Sequence, residues 1–230
     1  DLTSEISPYT DKESLTNNQY TSNHFFVFLN AKATEKTGFF GELIEQKFYY
    51  IKTQITESLE GQLGKILVPF GDTRYYHHFY GGTRTRNGKG VLVPDIWAEY
   101  GMNLSLSMPG NTVDLYTVNG MDSVDATTGR PILNNASTAD QQAVGLRLTN
   151  TTFTGIQLIG SYYFTEWSAG NNLSLLGADL SAQLGFVGLS LGKAYALIDG
   201  HQSGSYHKTG DYIMIRSPIV GPVFTVLRYG

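Results

Sequence analysis

Between Ile96 and Met108 the chain alternates without a break. Ile96, Ala98, Tyr100, Met102, Leu104, Leu106 and Met108 are apolar, while Asp95, Glu99, Gly101, Asn103, Ser105 and Ser107, together with Trp97, occupy the other register. Successive side chains of an extended chain point to opposite faces, so the spacing predicts a strand with one apolar and one small or polar face. Strands of soluble domains usually run ~5–6 residues, whereas a tilted strand crossing a bilayer needs ~9–11. This segment has the longer measure.

The signature recurs downstream. Val144, Leu146 and Leu148 alternate with Ala143, Gly145, Arg147 and Thr149, and Ile156, Leu158, Tyr162 and Phe164 alternate with Gly155, Gln157, Ser161 and Thr165. Leu176, Ala178, Leu180, Ala182 and Leu184 face Gly177, Asp179, Ser181 and Gln183 in the same way. An apolar face backed by a polar, small-residue face fits lipid outside and water inside. The alternation is muddier at Phe39–Gln54 and Tyr206–Ser217. Strands are expected at 24–33, 38–54, 58–70, 95–108, 111–120, 140–150, 153–166, 173–184, 186–198, 205–217 and 221–229. Their connections alternate in length: 55–57, 109–110, 151–152, 185 and 218–220 are short, 71–94, 121–139, 167–172 and 199–204 are longer, and 34–37 is out of step. Short turns at one rim and long loops at the other is the bacterial barrel arrangement, with the short turns periplasmic.

The expected fold class is therefore all-β: a transmembrane antiparallel up-and-down β-barrel occupying residues 22–230, with eleven or twelve strands visible. Residues 1–21, rich in Ser, Thr, Asn and acids, are expected as a polar N-terminal segment on the periplasmic side. Bacterial single-chain barrels close with an even strand number. Eleven strands thus leads to the expectation that further strands follow, that 1–21 supplies a twelfth, or that another chain closes the gap.

Composition narrows the function. With 16 Lys plus Arg against 20 Asp plus Glu there is no basic excess, which argues against a nucleic-acid partner. The 15 Tyr, 12 Phe and 26 Gly favour strands and turns. The absence of cysteine rules out disulfides, thiolate metal sites and a Cys nucleophile. No apolar run approaches the ~18 residues of a membrane-spanning helix.

Alternation also assigns direction. Glu99, Asp114, Arg147 and Asp179 share a face with small polar neighbours and are expected to line a pore, while Leu104, Leu106, Leu146, Leu158 and Leu180 are expected to face lipid. Loop 71–94 carries Arg74, Arg84, Arg86 and Lys89, which either fold inward as a positive constriction or sit on a surface loop with the nearby tyrosines. Tyr162, Trp167, Tyr195, Tyr206 and Tyr229 fit interfacial girdles or ordinary cross-strand packing. His77-His78 is a weak metal pair, because neighbours on an extended chain point apart, and Asp122 with Asp125 lack the rest of a calcium loop. His201 and His207 could serve a hydrolase, but no Gly-x-Ser-x-Gly or His-Glu-x-x-His motif occurs. No catalytic residue, metal or cofactor is expected.

Gly64-Lys65 followed by Pro69-Phe70-Gly71 resembles the pattern that ends an early strand in the phosphate-selective porin O/P family. Tyr116 with Asn119-Gly120, the strand with Gly145 and Arg147, and Arg228-Tyr229 look like further landmarks, over roughly residues 38 to 230. The resemblance implies a Gram-negative outer-membrane porin, part of a larger barrel of up to about 16 strands, passing small hydrophilic solutes and often a homotrimer. Phosphate selectivity does not carry over, because only Arg147, Arg216 and Arg228 lie on expected strands. Expected partners are outer-membrane lipid, lipopolysaccharide and small hydrophilic solutes. The competing expectations are a structural or surface-interaction barrel with a plugged lumen and a soluble glycan-binding β-sandwich.

Overall fold

The computed structural model describes residues 2–7, 24–44, 46–73, 92–93, 96–120, 123–124, 131–132, 141–168, 170–201, 204–220 and 223–229. Fifteen strands follow in chain order. The first half holds β1 (Leu2–Ser7), β2 (His24–Lys32), β3 (Thr37–Glu42), β4 (Tyr49–Gln54), β5 (Leu59–Leu67), β6 (Ala98–Met108) and β7 (Asn111–Asn119). A two-residue hairpin, β8 (Ser123–Val124) with β9 (Pro131–Ile132), stands apart. Then come β10 (Gln142–Asn150), β11 (Ile156–Ser168), β12 (Asn171–Leu184), β13 (Val187–His201), β14 (Gly204–Val220) and β15 (Val223–Tyr229).

The other thirteen strands form one sheet in chain order, each antiparallel to its neighbours: an up-and-down meander. A sandwich would divide them between two sheets packed face to face. β11 to β14 run 13, 14, 15 and 17 residues, well beyond the usual strand of a soluble domain.

Two differences turn eleven expected strands into thirteen. The segment 38–54 is not one strand but the hairpin β3–β4. Buried Glu42 builds its turn: one carboxylate oxygen accepts the Ile44 N–H at 2.7 Å and the other the Lys47 N–H at 3.3 Å, while Gln46 takes a left-handed φ of 52°. The second is Leu2–Ser7, within the segment read as polar and terminal, which pairs with β2 along its whole length. The hairpin also explains the connection that was out of step. With β3 and β4 separate strands, 33–36 joins 55–58, 109–110, 151–155 and 185–186 at the short-turn rim. The strand ends Ser7 and His24, Leu67 and Ala98, and Asn119 and Gln142 lie at the opposite rim.

The faces of the sheet differ in polarity. On the open face lie Met102, Leu104, Leu106, Leu115, Val144, Leu148, Leu158, Leu176 and Ile213, each 40–57% exposed. The covered face carries Asn103, Asp114, Ser161, Asp179, Ser181 and Ser190, all buried. Over its long-loop half lies an apolar cluster that includes Phe70, Trp97, Tyr163, Leu175 and Tyr212.

Two tyrosines of that face are accommodated by glycine. Gly145 pairs with Tyr116 and Gly192 with Tyr212, and in each case an added Cβ would fall within the tyrosine ring. Only a residue without Cβ lets the ring lie against the neighbouring strand.

Candidate functional site

The landmark residues of β5 and its continuation build the site. Gly64 has a φ of 139°, and a Cβ there would come within 2.6 Å of the Tyr49 carbonyl oxygen, so glycine is required where β5 twists against β4. The strand expected over 58–70 ends at Leu67, and Val68–Thr73 then folds onto the covered face. Val68 and Phe70 are fully buried, and Phe70 packs against Trp97 with ring centroids 5.9 Å apart. Gly71 N donates to Ser161 Oγ at 2.8 Å, and Asp72 Oδ2 lies 3.3 Å from Ser181 Oγ, which is 3.0 Å from Ser190 Oγ. The segment therefore crosses from β11 to β12.

Arg147 ties down its far end. Nε and Nη2 of Arg147 each lie 2.8 Å from Asp114 Oδ2, and Nη1 donates to Thr73 Oγ1 at 2.9 Å. The other oxygen of Asp114 accepts a short hydrogen bond from Ser105 Oγ and one from Asn103 Nδ2 at 3.3 Å. Asp114 and Arg147 are directly paired across β7 and β10, so the register itself brings the charges together. A planar guanidinium serves both partners, where an ammonium would act as a point charge.

All four charges expected to line a pore lie on the covered face. Asp179 accepts from Tyr212 Oη at 2.9 Å, and Glu99 sits opposite Ile66, between Trp97 and Gly101 on its strand. Glu99, Asp114 and Asp179 are buried at 2%, 1% and 6% exposure, beneath or beside the inward segment, while Arg147 is half-buried. Of the residues expected to face lipid, Leu104, Leu106 and Leu158 are exposed on the open face. Leu146 and Leu180 share that face, half-buried between cross-strand partners Leu115 and Tyr162, and Leu158 and Leu191.

Arg74, Arg84, Arg86 and Lys89 lie outside the described residues, as do His77-His78, Asp122 and Asp125. The feet of their loop are described, and both turn inward: Leu92, Val93 and Trp97 are buried with Val68 and Phe70. Trp167, one candidate for the girdle, is buried, and its Nε1 donates to the Asp199 carbonyl at 3.1 Å. Tyr162 and Tyr195 are on the open face, and His207 stacks on Tyr195 with centroids 5.7 Å apart, on the face opposite the buried carboxylates.

Below the inward segment, at the short-turn end of the covered face, lies a cavity of about 420 Å³ lined by Thr154, Gln157, Ser181, Gln183, Ser190 and Arg216 among others. Its lining offers hydroxyls, carboxamides and a guanidinium. The long-loop half of the face is thus covered by packed side chains, and the short-turn half is hollow, with Phe153, Ile156, Leu189 and Met214 lining it beside the polar groups. Sequence alternation found the charges and their face. It missed the contacts Arg147–Thr73 and Gly71–Ser161, whose partners are 74 and 90 residues apart in the chain.

No family model matches the chain, and no curated protein matches it, so the resemblance to the phosphate-selective porin O/P family rests on the quoted residues alone. Solved structures with a similar course include an in-vitro folded trimer form of OmpT, an outer membrane protein of Vibrio cholerae, at 10% identity and a TM-score of 0.49, over 90% of this chain and 79% of that one. The loop L8 deletion form of the same OmpT matches at 13% identity and 0.46, over 86% of this chain and 81% of the other. Pseudomonas aeruginosa OpdL matches at 12% and 0.42; the match takes in 94% of this chain and 58% of OpdL. At such identities and scores these likenesses assign neither family nor activity.

Proposed function

We propose that the chain forms the wall of an outer-membrane β-barrel channel through which small hydrophilic solutes diffuse passively. One observation carries the reading: one face of the sheet exposes a broad band of large apolar side chains, which a water-soluble protein would cover. Large apolar side chains from β5 to β14 are exposed together on one face, while carboxylates, hydroxyls and carboxamides are buried on the other. A soluble protein rarely exposes contiguous apolar patches beyond a few hundred Å². In a bilayer the arrangement is the expected one, with lipid on the open face and the lumen on the covered face. Strand lengths of 9 residues or more in β5–β7 and β10–β14 suit a tilted crossing. The inward feet of loop 68–97 then form a constriction, held to the wall by Arg147, and the cavity of mixed polar and apolar lining is the wider vestibule at the short-turn side.

A second reading, a barrel with a plugged lumen and a structural or surface role, draws support from the packing of Phe70, Trp97 and Tyr163 on the covered face. Single-channel recording of reconstituted protein separates the two. Steady ohmic steps are expected of a channel. Protein that inserts and gives no steady current would overturn the channel reading and favour the plugged barrel.

A further inference from the structure

Among the described residues, the surroundings of two lysines on the open face differ. Lys193 stands directly opposite Asp211, so an opposite charge is at hand. Lys65 stands between two tyrosines instead: Tyr49, Lys65 and Tyr100 form one row across β4, β5 and β6. This row is at the long-loop end of those strands. The next row toward the short-turn rim, Ile51, Leu63 and Met102, is apolar and 48–60% exposed.

We infer that Lys65, Tyr49 and Tyr100 form a site for the phosphate of a lipopolysaccharide headgroup in the outer leaflet. The inference rests on the membrane reading above. A lysine cannot stay in hydrocarbon cheaply, so its row marks the upper boundary of the apolar band, where amphipathic aromatic rings also settle. The three side chains offer donors suited to an acceptor-only ligand. Tyr49 Oη and Tyr100 Oη are 2.6 Å apart, with rings 6.1 Å apart in an edge-on arrangement. That bond uses one hydroxyl proton, and the other can be donated outward. The Lys65 ammonium has three N–H donors, of which one reaches the Gln46 carbonyl at 3.4 Å. Among the described residues, Gln46 is the non-glycine residue at left-handed φ, in the turn capped by Glu42. Tyrosines flank Lys65 in place of acids, so a phosphate meets no competing carboxylate in its row.

The test is refolding into phosphatidylcholine vesicles with increasing mole fractions of lipid A, following the urea unfolding midpoint. Lipid A is expected to raise the wild-type midpoint to a plateau. Lys65→Gln should need about five-fold more lipid A for half the effect, Lys65→Arg should retain the response, and Lys193→Gln should behave as wild type. The Tyr49→Phe/Tyr100→Phe double variant, which keeps both rings and loses both hydroxyl donors, should weaken the response by a smaller factor. The site is overturned if Lys65→Gln and the double tyrosine variant both respond as wild type does, or if inorganic phosphate alone on phosphatidylcholine vesicles reproduces the stabilisation. Protein that inserts but ignores lipid A refutes the site alone, whereas protein that inserts into no vesicle refutes the membrane reading and the site with it.

Discussion

Replacing Arg147 by Met leaves the buried Asp114 carboxylate without its cation and is the sharpest test of the wall. The side chain of Asp114 is 2% exposed and that of Arg147 19%. Breaking one partner of a buried pair costs ~3–5 kcal/mol, because the remaining charge is neither solvated nor paired. Two features pull the expectation to the low end. Arg147 is partly solvated, and Asp114 keeps the hydrogen bonds from Ser105 and Asn103 on its other oxygen. A loss of about 3 kcal/mol is expected. Asp114→Asn with Arg147→Met removes both charges and should recover most of it, giving a coupling of roughly 2 kcal/mol in a double-mutant cycle. Urea unfolding in micelles, followed by tryptophan fluorescence, is the assay. Trp97 packs on Phe70 of the segment that Arg147 holds, so it also reports loosening of that segment. The reasoning fails if the Arg147→Met loss is below about 1 kcal/mol, or if the double variant loses the sum of the singles.

Three further changes probe separate features. Gly145→Ala should destabilise by ~1–3 kcal/mol through overpacking, and Tyr116→Ala in that background should remove most of the penalty, read from the same unfolding curves; no rescue would show that the ring is not the obstacle. Glu42→Ala strips the acceptors from the Ile44 and Lys47 N–H groups and should cost ~1–3 kcal/mol, with faster amide exchange at those two positions as the specific sign. Leu115→Arg puts a cation on the open face and should cost ~2–4 kcal/mol in bilayers if near midplane, while Thr149→Arg on the covered face should cost less; equal costs would contradict the assignment of faces.

Much of the wall was legible because one rule governs it. From Ala98 to Met108 and from Asn171 to Leu184 every second residue faces the same way, and expected boundaries fall within three residues of those observed. The β3–β4 turn escaped for a physical reason. Residues 43–48 contain no Gly, Pro, Asn or Asp; Leu43 and Ile44 extend the apolar run; and the turn is made by the side chain of Glu42 and the left-handed Gln46. A turn built by a preceding carboxylate leaves no signature of its own in the residues that bend. β1 is anticipated only as the extra strand that parity allows within 1–21, and no alternation marks it, because Leu2 and Ile6 are its only large apolar residues. For Trp167 residue type leaves girdle and packing both open, and its register with Tyr163 and Thr165 decides for packing on the covered face, where it is buried. The Arg147–Thr73 contact joins residues far apart in the chain, and no local pattern encodes it.

If the chain forms the proposed channel, the glycines opposite Tyr116 and Tyr212 bear on the width of the passage as well as on packing. A large side chain on the inner surface of a tube normally reaches toward the axis and takes cross-section from whatever passes. Here the ring is recessed over a partner without a side chain, so its bulk runs along the circumference and its radial reach is small. The wall gains the contact area of an aromatic residue and the interior keeps its clearance. On the proposed channel reading, a side chain at 145 or 192 that the protein tolerates by swinging the ring inward should then lower the conductance while the strands on either side stay paired.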